Sequence, residues 1–202
     1  MIGKRTMSFA MIHPLRVLGL LAALFLSGCA QIPLGQPGPS FAVVEKVRTK
    51  AVAPVAVGTF QLAQGLAPEM DMGLSVRGST VSAPTEGSFS QYLRAMLIAD
   101  LTASGLYDAR STSQLGGSLT ESVLDVPMST GTASLGARFT LTRQGVTVYD
   151  KELRVTDSWP STFVGVEAIP DGINHYSSLY HSLILKLLLD PDYVKAHPIE
   201  PK

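Results

Sequence analysis

Apolar and polar residues alternate without a break along residues 132–142. A strand turns successive side chains to opposite faces of a sheet, so this pattern predicts a strand with one buried and one polar face. The turn pair Gln144-Gly145 follows directly, and residues 146–156 predict the returning strand of a hairpin, with Lys151 interrupting its apolar side. The expected buried residues of the first strand are Ala133, Leu135, Ala137, Phe139 and Leu141, and the expected polar face carries Thr132, Ser134, Gly136, Arg138, Thr140 and Thr142.

Two further strands are predicted before this hairpin. Residues 52–62 are apolar and β-branched on both parities, which is typical of a strand that is covered on both faces or central in its sheet. Residues 118–126 predict the second strand, although their alternation of apolar and polar residues is weak. Between them, residues 63–87 are rich in Gly, Pro, Ser and Thr and indicate a long loop, and loops of that length are often functional.

A helix is predicted over residues 88–105. Ser88 and Gln91 have the spacing of a capping box, and Gly105 followed by Leu106 has the form of a Schellman ending on Leu101. The apolar stripe between these signals repeats at helical spacing and contains Phe89, Leu93, Met96, Leu97 and Leu101.

A second helix is predicted from about Pro170 to Leu189. Proline is tolerated in a first helical turn, and Asp190-Pro191 would end this helix and cap a short final turn. The predicted core stripe contains Ile173, Tyr176, Tyr180, Leu183 and Leu187.

The order of these elements is β-α-β-β-β-α. It predicts an α+β two-layer sandwich, with an antiparallel-rich sheet of about four strands and two helices on one face. The first strand reaches the second through a helix, so that pair can be parallel. Residues 158–169, which contain Trp159-Pro160, would form the crossover to the last helix.

The amino-terminal region has the pattern of an export signal. Residues 1–16 are basic, and residues 17–25 form an apolar run too short for the roughly 20 residues that span a bilayer. We predict a signal peptide over residues 1–28, a flexible tether over residues 29–50 with a short strand inside 40–50, and the domain over residues 51–202. Three prolines and two glycines in residues 30–40 favour the tether. Met1, Met7 and Met11 are alternative start sites.

Leu26-Ser27-Gly28-Cys29 resembles the bacterial lipobox. The resemblance implies cleavage between Gly28 and Cys29 and attachment of diacylglycerol to Cys29, so that lipid anchors the protein to a membrane. Ala30 stands where inner-membrane lipoproteins of enteric bacteria carry Asp, which favours the outer membrane. The alternative is an ordinary secretory signal with an incidental cysteine.

Over roughly residues 50–195 the chain resembles small Gram-negative envelope lipoproteins of the YajG type and, in layout, of the LptE type. The matching features are the lipobox, residues 101–107 (LTASGLY), the hairpin through Gly145 and the long final helix. Residues 30–33 (AQIP) depart from the Gly-Trp/Phe-x-Leu run of LptE-like chains. The resemblance implies an envelope location and carries no biochemical activity across.

Charge argues against a nucleic-acid partner. Residues 1–28 hold Lys4, Arg5 and Arg16 and no acid, so 13 of the 16 basic and all 16 acidic residues remain after them. The formal charge of that remainder is −3 with histidine neutral. Nucleic-acid binding needs a concentrated basic face, so we expect none.

No catalytic or metal-binding pattern stands out. His175 and His181 are six positions apart, whereas two ligands on one helical face are three or four apart. Asp150, Glu152 and Asp157 lie among basic residues, which is typical of a solvated strand face rather than an acid–base pair. Because phosphate, dinucleotide and serine-nucleophile loops are also absent from the sequence, we expect a non-enzymatic protein without cofactor or metal.

Two groups of residues are candidates for a partner surface. Residues 183–189 are apolar nearly all round, so Leu185 and Leu189 need a cover besides the sheet. Trp159 and Phe163 either form an exposed aromatic site or close the open end of the core. Four candidates could cover Leu185 and Leu189: the chain's own tail at Tyr193 and Val194, residues 40–50, a partner protein or lipid.

These features together predict a lipid-anchored protein on the periplasmic face of the outer membrane that binds an envelope protein in outer-membrane assembly or maintenance. A lipid or glycolipid carrier is the alternative and requires an apolar cavity between sheet and helices. An envelope enzyme is a further alternative and requires polar residues of 63–87 and the crossover to converge in a pocket.

Overall fold

The computed structural model describes residues 31–50, 52–84 and 86–199, so the lipobox lies outside the described residues. Its main feature is a four-stranded sheet of β2 (Ala56–Leu62), β5 (Ser113–Asp125), β6 (Thr130–Arg143) and β7 (Val146–Pro160), in the spatial order β2-β5-β6-β7. Strand β2 runs parallel to β5, while β5, β6 and β7 are successively antiparallel.

Two long helices cover one face of this sheet. They are α3 (Phe89–Ala103) and α4 (Gly165–Leu188), and both pack on strands of the sheet. The layer between sheet and helices contains edge-to-face aromatic pairs, such as Phe60 with Phe139 and Tyr92 with Tyr180. The structure therefore has the predicted α+β sandwich. The predicted β6–β7 turn is also confirmed, since Gln144 and Gly145 have φ of 50° and 81°.

The predicted ends of α3 are present, with one difference. Ser88 Oγ accepts the Gln91 backbone N–H at 3.2 Å, and the Leu106 N–H bonds Leu101 O at 2.8 Å beyond Gly105, whose φ is 72°. The Gln91 side chain does not complete a capping box. It donates to Phe60 O at 2.7 Å and so ties the start of α3 to β2.

The prediction of a loop over residues 63–87 is wrong. This segment contains the short helix α2 (Glu69–Met72) and the hairpin strands β3 (Leu74–Val76) and β4 (Ser79–Ser82). Arg77 and Gly78 both have positive φ, 47° and 81°, which suits a two-residue hairpin turn. The strands are three and four residues long, too short to give a visible alternation.

The prediction of a flexible tether is wrong for residues 31–50, which belong to the compact unit that begins at Gln31. Strand β1 (Gln31–Pro33) pairs parallel with β4 and completes a small sheet in the order β1-β4-β3. The predicted strand within residues 40–50 is a helix, α1 (Phe41–Val47), which packs on α3 and α4. Leu34, Val43 and Val47 are buried, so a few apolar residues anchor a segment whose overall composition indicates a linker.

Strand β7 ends later than predicted, and the last long helix begins earlier. Strand β7 extends through Trp159, and α4 starts at Gly165, so that Pro170 lies inside the helix. The chain ends the helical layer with α5 (Pro191–Ala196). Asp190 caps it as predicted, because its side chain accepts the backbone N–H groups of Asp192 and Tyr193.

Candidate partner surface

Two other helices of the chain pack on α4. Helix α1, which is part of the 40–50 segment, packs on α4, and α5 does so as well. Leu185 and Leu189 are half-buried, and their neighbours Ile184 and Leu188 are fully buried. Both covers that the chain could supply thus pack on α4, and Leu185 and Leu189 stay a predicted partner surface.

Trp159 is a core residue with 4% of its surface exposed. Its indole lies over Gly131 on β6, and it stacks on the His175 ring with a centroid distance of 4.2 Å and an interplanar angle of 5°. Gly172 of α4 also lies against it, which lets the helix approach the sheet. The sequence predicts that Trp159 either forms an exposed aromatic site or closes the open end of the core. The burial of Trp159 agrees with the second of these predictions.

Phe163 is 75% exposed and lies among other exposed apolar side chains. Met128 is in the β5–β6 connection, and Val164 and Val166 stand at the start of α4; they are 66%, 46% and 81% exposed. The backbones of the two segments meet, since the Ser161 N–H donates to Ser129 O at 2.9 Å. We call Met128, Phe163, Val164 and Val166 the apolar rim.

Arg77 holds the two segments of the apolar rim in place. Its Nε and Nη2 donate to Val126 O and Pro127 O at 2.7 and 2.8 Å. On the other side, Nη2 donates to Thr162 O at 2.8 Å and Nη1 to Phe163 O at 3.1 Å. One guanidinium, which has five N–H donors in a rigid plane, thus joins the β3–β4 hairpin to both segments. No local pattern in the sequence points to this role.

No helix among the described residues 31–50, 52–84 and 86–199 covers the other face of the four-stranded sheet. On this face a shallow groove of about 430 Å³ crosses β2, β5 and β6. Its side chains can form hydrogen bonds but carry no charge, and Gly116 keeps its floor low. The groove is lined further by Thr59, Gln61, Gln114, Ser118, Thr140 and Thr142.

Ion pairs lie beside this groove on the same face. Arg138 Nε is 2.6 Å from Asp150 Oδ1, and this hydrogen bond lowers the pKa of the Asp150 carboxyl. Arg154 is 2.8 Å from Glu121. The prediction of a solvated strand face is confirmed for Asp150 and Glu152, both of which are exposed.

Asp157 differs from that prediction. Its Oδ2 is 2.7 Å from Nδ1 of His175, so the carboxylate faces α4 rather than the solvated face. The other ring nitrogen, Nε2, is 3.8 Å from Asp171 Oδ1. The imidazole therefore lies between two carboxylates and against Trp159, an arrangement that joins β7 to α4.

His181 has an equally structural position. Its Nδ1 is 2.9 Å from Oδ2 of Asp100, a fully buried carboxylate on α3. The other oxygen of Asp100 accepts the Ser40 N–H at 2.7 Å, at the start of α1. A single buried carboxylate thereby joins α1, α3 and α4, and a buried charge is stable only when it is paired and hydrogen-bonded in this way.

Within the described parts of the chain, no group of three His, Cys, Asp or Glu side chains is placed to hold a metal ion. The helices described there include none that combines the length and the hydropathy needed to cross a membrane.

The comparison with solved structures found the same fold in a Xanthomonas campestris protein of the family DUF330. The TM-score is 0.55 at 14% identity, over 79% of this chain and 95% of that chain. Identity this low shows a shared fold and does not carry function across. No protein-family model matches the sequence, and the comparison with curated proteins gave no match.

Two other structural matches are lipoproteins by description. One is a Caulobacter crescentus protein assigned as a lipoprotein, with a TM-score of 0.41 at 15% identity over 76% of this chain and 96% of that one. The other is a minor lipoprotein from Acinetobacter baumannii, with a TM-score of 0.39 at 9% identity over 74% and 99%. Scores this low carry no argument about this chain, and the YajG-type and LptE-type resemblance stays a prediction.

Proposed function

We propose that this chain is a lipid-anchored envelope protein on the periplasmic face of the outer membrane, and that its domain binds a protein partner in envelope assembly or maintenance. The anchor is supported by the short apolar run and by Cys29 at the end of Leu-Ser-Gly-Cys. Ala30 supports an outer-membrane location, because inner-membrane lipoproteins of enteric bacteria carry Asp at this position. Anchoring concentrates the domain near the membrane, so contacts of modest affinity suffice for binding.

The polar groove on the uncovered sheet face carries the proposal of a binding role. A helix layer buries one side of the sheet, and the groove side presents hydroxyl and amide groups from three adjacent strands. Sites for small molecules are usually enclosed and mostly apolar, whereas this groove is shallow and polar. Its donors and acceptors suit the backbone and polar side chains of another protein, with the Arg138–Asp150 pair at its border.

A lipid or glycolipid carrier is less well supported. That function needs space between sheet and helices, and aromatic side chains occupy this layer. Tyr176 and Tyr180 are fully buried with hydroxyls 2.9 Å apart, and Ser122 Oγ is 2.7 Å from Tyr176. Burial raises the pKa of both tyrosines, so they stay neutral within this hydrogen-bonded chain.

An enzyme is also less well supported. The 63–87 segment and the crossover do meet, as an enzyme hypothesis requires. They meet through Arg77 and the backbone carbonyls of Thr162 and Phe163, which are occupied as hydrogen-bond acceptors. The contact is a clamp between segments rather than a pocket with a reactive group.

Site-specific photocrosslinking in the native envelope tests the proposed binding face. A photoreactive residue at Gln114 is expected to give an adduct heavier than the chain, because this exposed side chain lines the groove. Ser182, exposed on α4, is the matched control and should give no such adduct. An adduct from Ser182 with none from Gln114 would contradict the proposed face.

Membrane fractionation tests the anchor separately. Wild-type protein is expected to sediment with outer-membrane vesicles and to carry fatty acid. The Cys29→Ser variant should be soluble after export because it has no thiol to acylate. Equal sedimentation of both proteins would contradict lipid anchoring without bearing on the groove.

A further inference from the structure

The first described strand, β1, begins at the end of the small sheet where β3 turns into β4. Gln31 pairs with Thr80 and Pro33 with Ser82, so β1 enters the small sheet beside the Arg77–Gly78 turn. Strand β3 is two strands away from β1 in the order β1-β4-β3, a separation of about 10 Å at ordinary strand spacing.

The apolar rim lies at this same end. Arg77, in the turn, donates to carbonyls in both segments that carry the rim, including Phe163 O and Pro127 O. The rim residues Met128 and Phe163 are therefore neighbours of the hairpin turn beside which β1 begins. Strand β6, with 14 residues, extends about 45 Å from this end to the β6–β7 turn at the other.

The proposed lipid anchor is joined to β1 by a very short piece of chain. Cys29 precedes Gln31 by two positions, and two residues of fully extended chain reach about 7 Å. The backbone of Cys29 must lie within that reach of Gln31, so its lipid enters the membrane close to β1. The end of the domain that carries the apolar rim is thereby held against the membrane surface.

We propose that the apolar rim, formed by Met128, Phe163, Val164 and Val166, is a second membrane contact that inserts into the lipid interface beside the lipid anchor. This inference rests on the proposed lipid anchoring and goes beyond it by assigning the domain an orientation. Exposed apolar side chains clustered on one patch mark an interaction surface, and lipid is the surface that the anchor brings to this patch. Because the Arg77 hydrogen bonds already hold the rim segments in place, inserting the rim costs little conformational entropy.

The charges near the rim limit the depth and the type of lipid contact. Glu167 follows Val166 directly and is exposed, and Asp125 is exposed at the end of β5. The Arg77 guanidinium is the cation at the rim, and its donors are engaged by the four backbone carbonyls described above. Carboxylates are costly in the hydrocarbon region and are repelled by anionic headgroups. The rim therefore contacts the interface of zwitterionic lipid at shallow depth, and anionic lipid adds nothing to the contact.

The test uses the mature lipidated protein in vesicles of phosphatidylethanolamine and phosphatidylcholine. Cys29 is the single cysteine of the chain and is consumed by lipid, so a cysteine introduced by Val166→Cys is the only free thiol. An environment-sensitive fluorophore on this thiol is quenched by lipids that carry a nitroxide on the acyl chain. The matched control is Val146→Cys, which replaces a valine that is 65% exposed at the opposite end of the sheet.

Quenching at position 166 is expected to be several-fold stronger than at position 146, and Phe163→Ser is expected to reduce it. Equal quenching at the two positions overturns the proposal. The proposal is also overturned if the fluorophore at position 166 is shielded from water but not quenched, and the protein crosslinks to a second copy. That result would show that the rim contacts another copy of the chain. Stronger quenching only when anionic lipid is added also overturns it.

The anchoring and the rim contact fail in different ways. Protein that stays on vesicles while the label at 166 remains in water overturns the rim contact and leaves the anchor standing. Protein that leaves the vesicles altogether overturns the anchor, and the rim contact with it.

Discussion

The Lys151 ammonium lies 2.8 Å from Asp190 Oδ2 and joins the edge strand β7 to the start of α5. Asp190 also accepts backbone N–H groups of Asp192 and Tyr193 through its other oxygen. Burial alone would raise the pKa of Asp190, but the Lys151 hydrogen bond and these backbone donors together lower it. Lys151, which interrupts the apolar side of β7 in the sequence, therefore has a structural role, because it links β7 to the last helix.

Removing this carboxylate is expected to destabilise the fold. Asp190→Ala loses the helix cap and the less exposed of the two carboxylates that pair with Lys151, and we expect the free energy of unfolding to fall by about 1–2 kcal/mol. Denaturant unfolding measures this change. Asp192→Ala is the control, since Asp192 is 70% exposed and its solvent-screened pair with Lys151 should contribute little to stability. Equal losses in the two variants would contradict the role of Asp190.

The effect of Asp190→Ala should depend on pH. A carboxyl group whose pKa is lower in the folded state stabilises the fold above its ordinary pKa, which is 3.8 here. That contribution disappears as the pH falls through the lowered value. The difference in unfolding free energy between wild type and variant should be at its full size at neutral pH and shrink in acid. A difference that grows in acid would contradict this account.

Gly131 is required by the packing of Trp159. A Cβ at position 131 would lie 2.3 Å from the Trp159 ring, so Gly131→Ala must displace the indole from its stack on His175. We expect a loss of about 1–3 kcal/mol in unfolding free energy and a change in tryptophan fluorescence, which reports the only tryptophan. Gly165→Ala, where a Cβ meets nothing within 4 Å, should change neither.

Arg77 is expected to determine the order of the apolar rim. Lysine keeps the charge but has no planar fork, so Arg77→Lys cannot bond the carbonyls of both segments at once. Amide hydrogen exchange at Ser161, which donates to Ser129, should become faster, and stability should fall by about 2 kcal/mol. Arg154→Lys on the solvated face is the control and should leave exchange at Ser161 unchanged.

Asp100 is expected to hold α1 on the domain. Asp100→Ala leaves the Ser40 N–H without its acceptor and His181 without its partner, so stability should fall by about 2–4 kcal/mol. Limited proteolysis should cut residues 31–50 sooner than in wild type. Asp100→Asn keeps a carbonyl oxygen for Ser40 and should recover part of the protection. Equal cleavage of all three proteins would show that α1 is held by Val43 and Val47 alone.

The elements that the sequence predicts well are those whose signals are local. Helix α3 has its cap at Ser88, its apolar stripe and its ending at Gly105 within one segment, and all three agree with the structure. Strand β6 is equally clear because one buried face and one polar face give strict alternation. Sheet and helices then follow from the order of these elements.

The features that escaped prediction depend on distant partners. The aliphatic anchors of residues 31–50 are separated by Pro, Gly and charged residues, so only the folded core shows that they are buried. Asp157 shares a charged neighbourhood with Asp150 and Glu152, but its partner His175 is on another element. Arg77 is informative only when the carbonyls 49 and 85 positions away are placed beside it.

The short parallel pairing of β1 with β4 has a mechanical consequence. A pull on the chain upstream of Gln31 loads the three residues of β1 first, because the pull enters the fold through them. Detachment of β1 together with the buried Leu34 would release residues 31–39, about 30 Å of extended chain, before the force reached the Asp100–Ser40 bond. The domain could then rise from its attachment point under tension while its main sheet stayed folded.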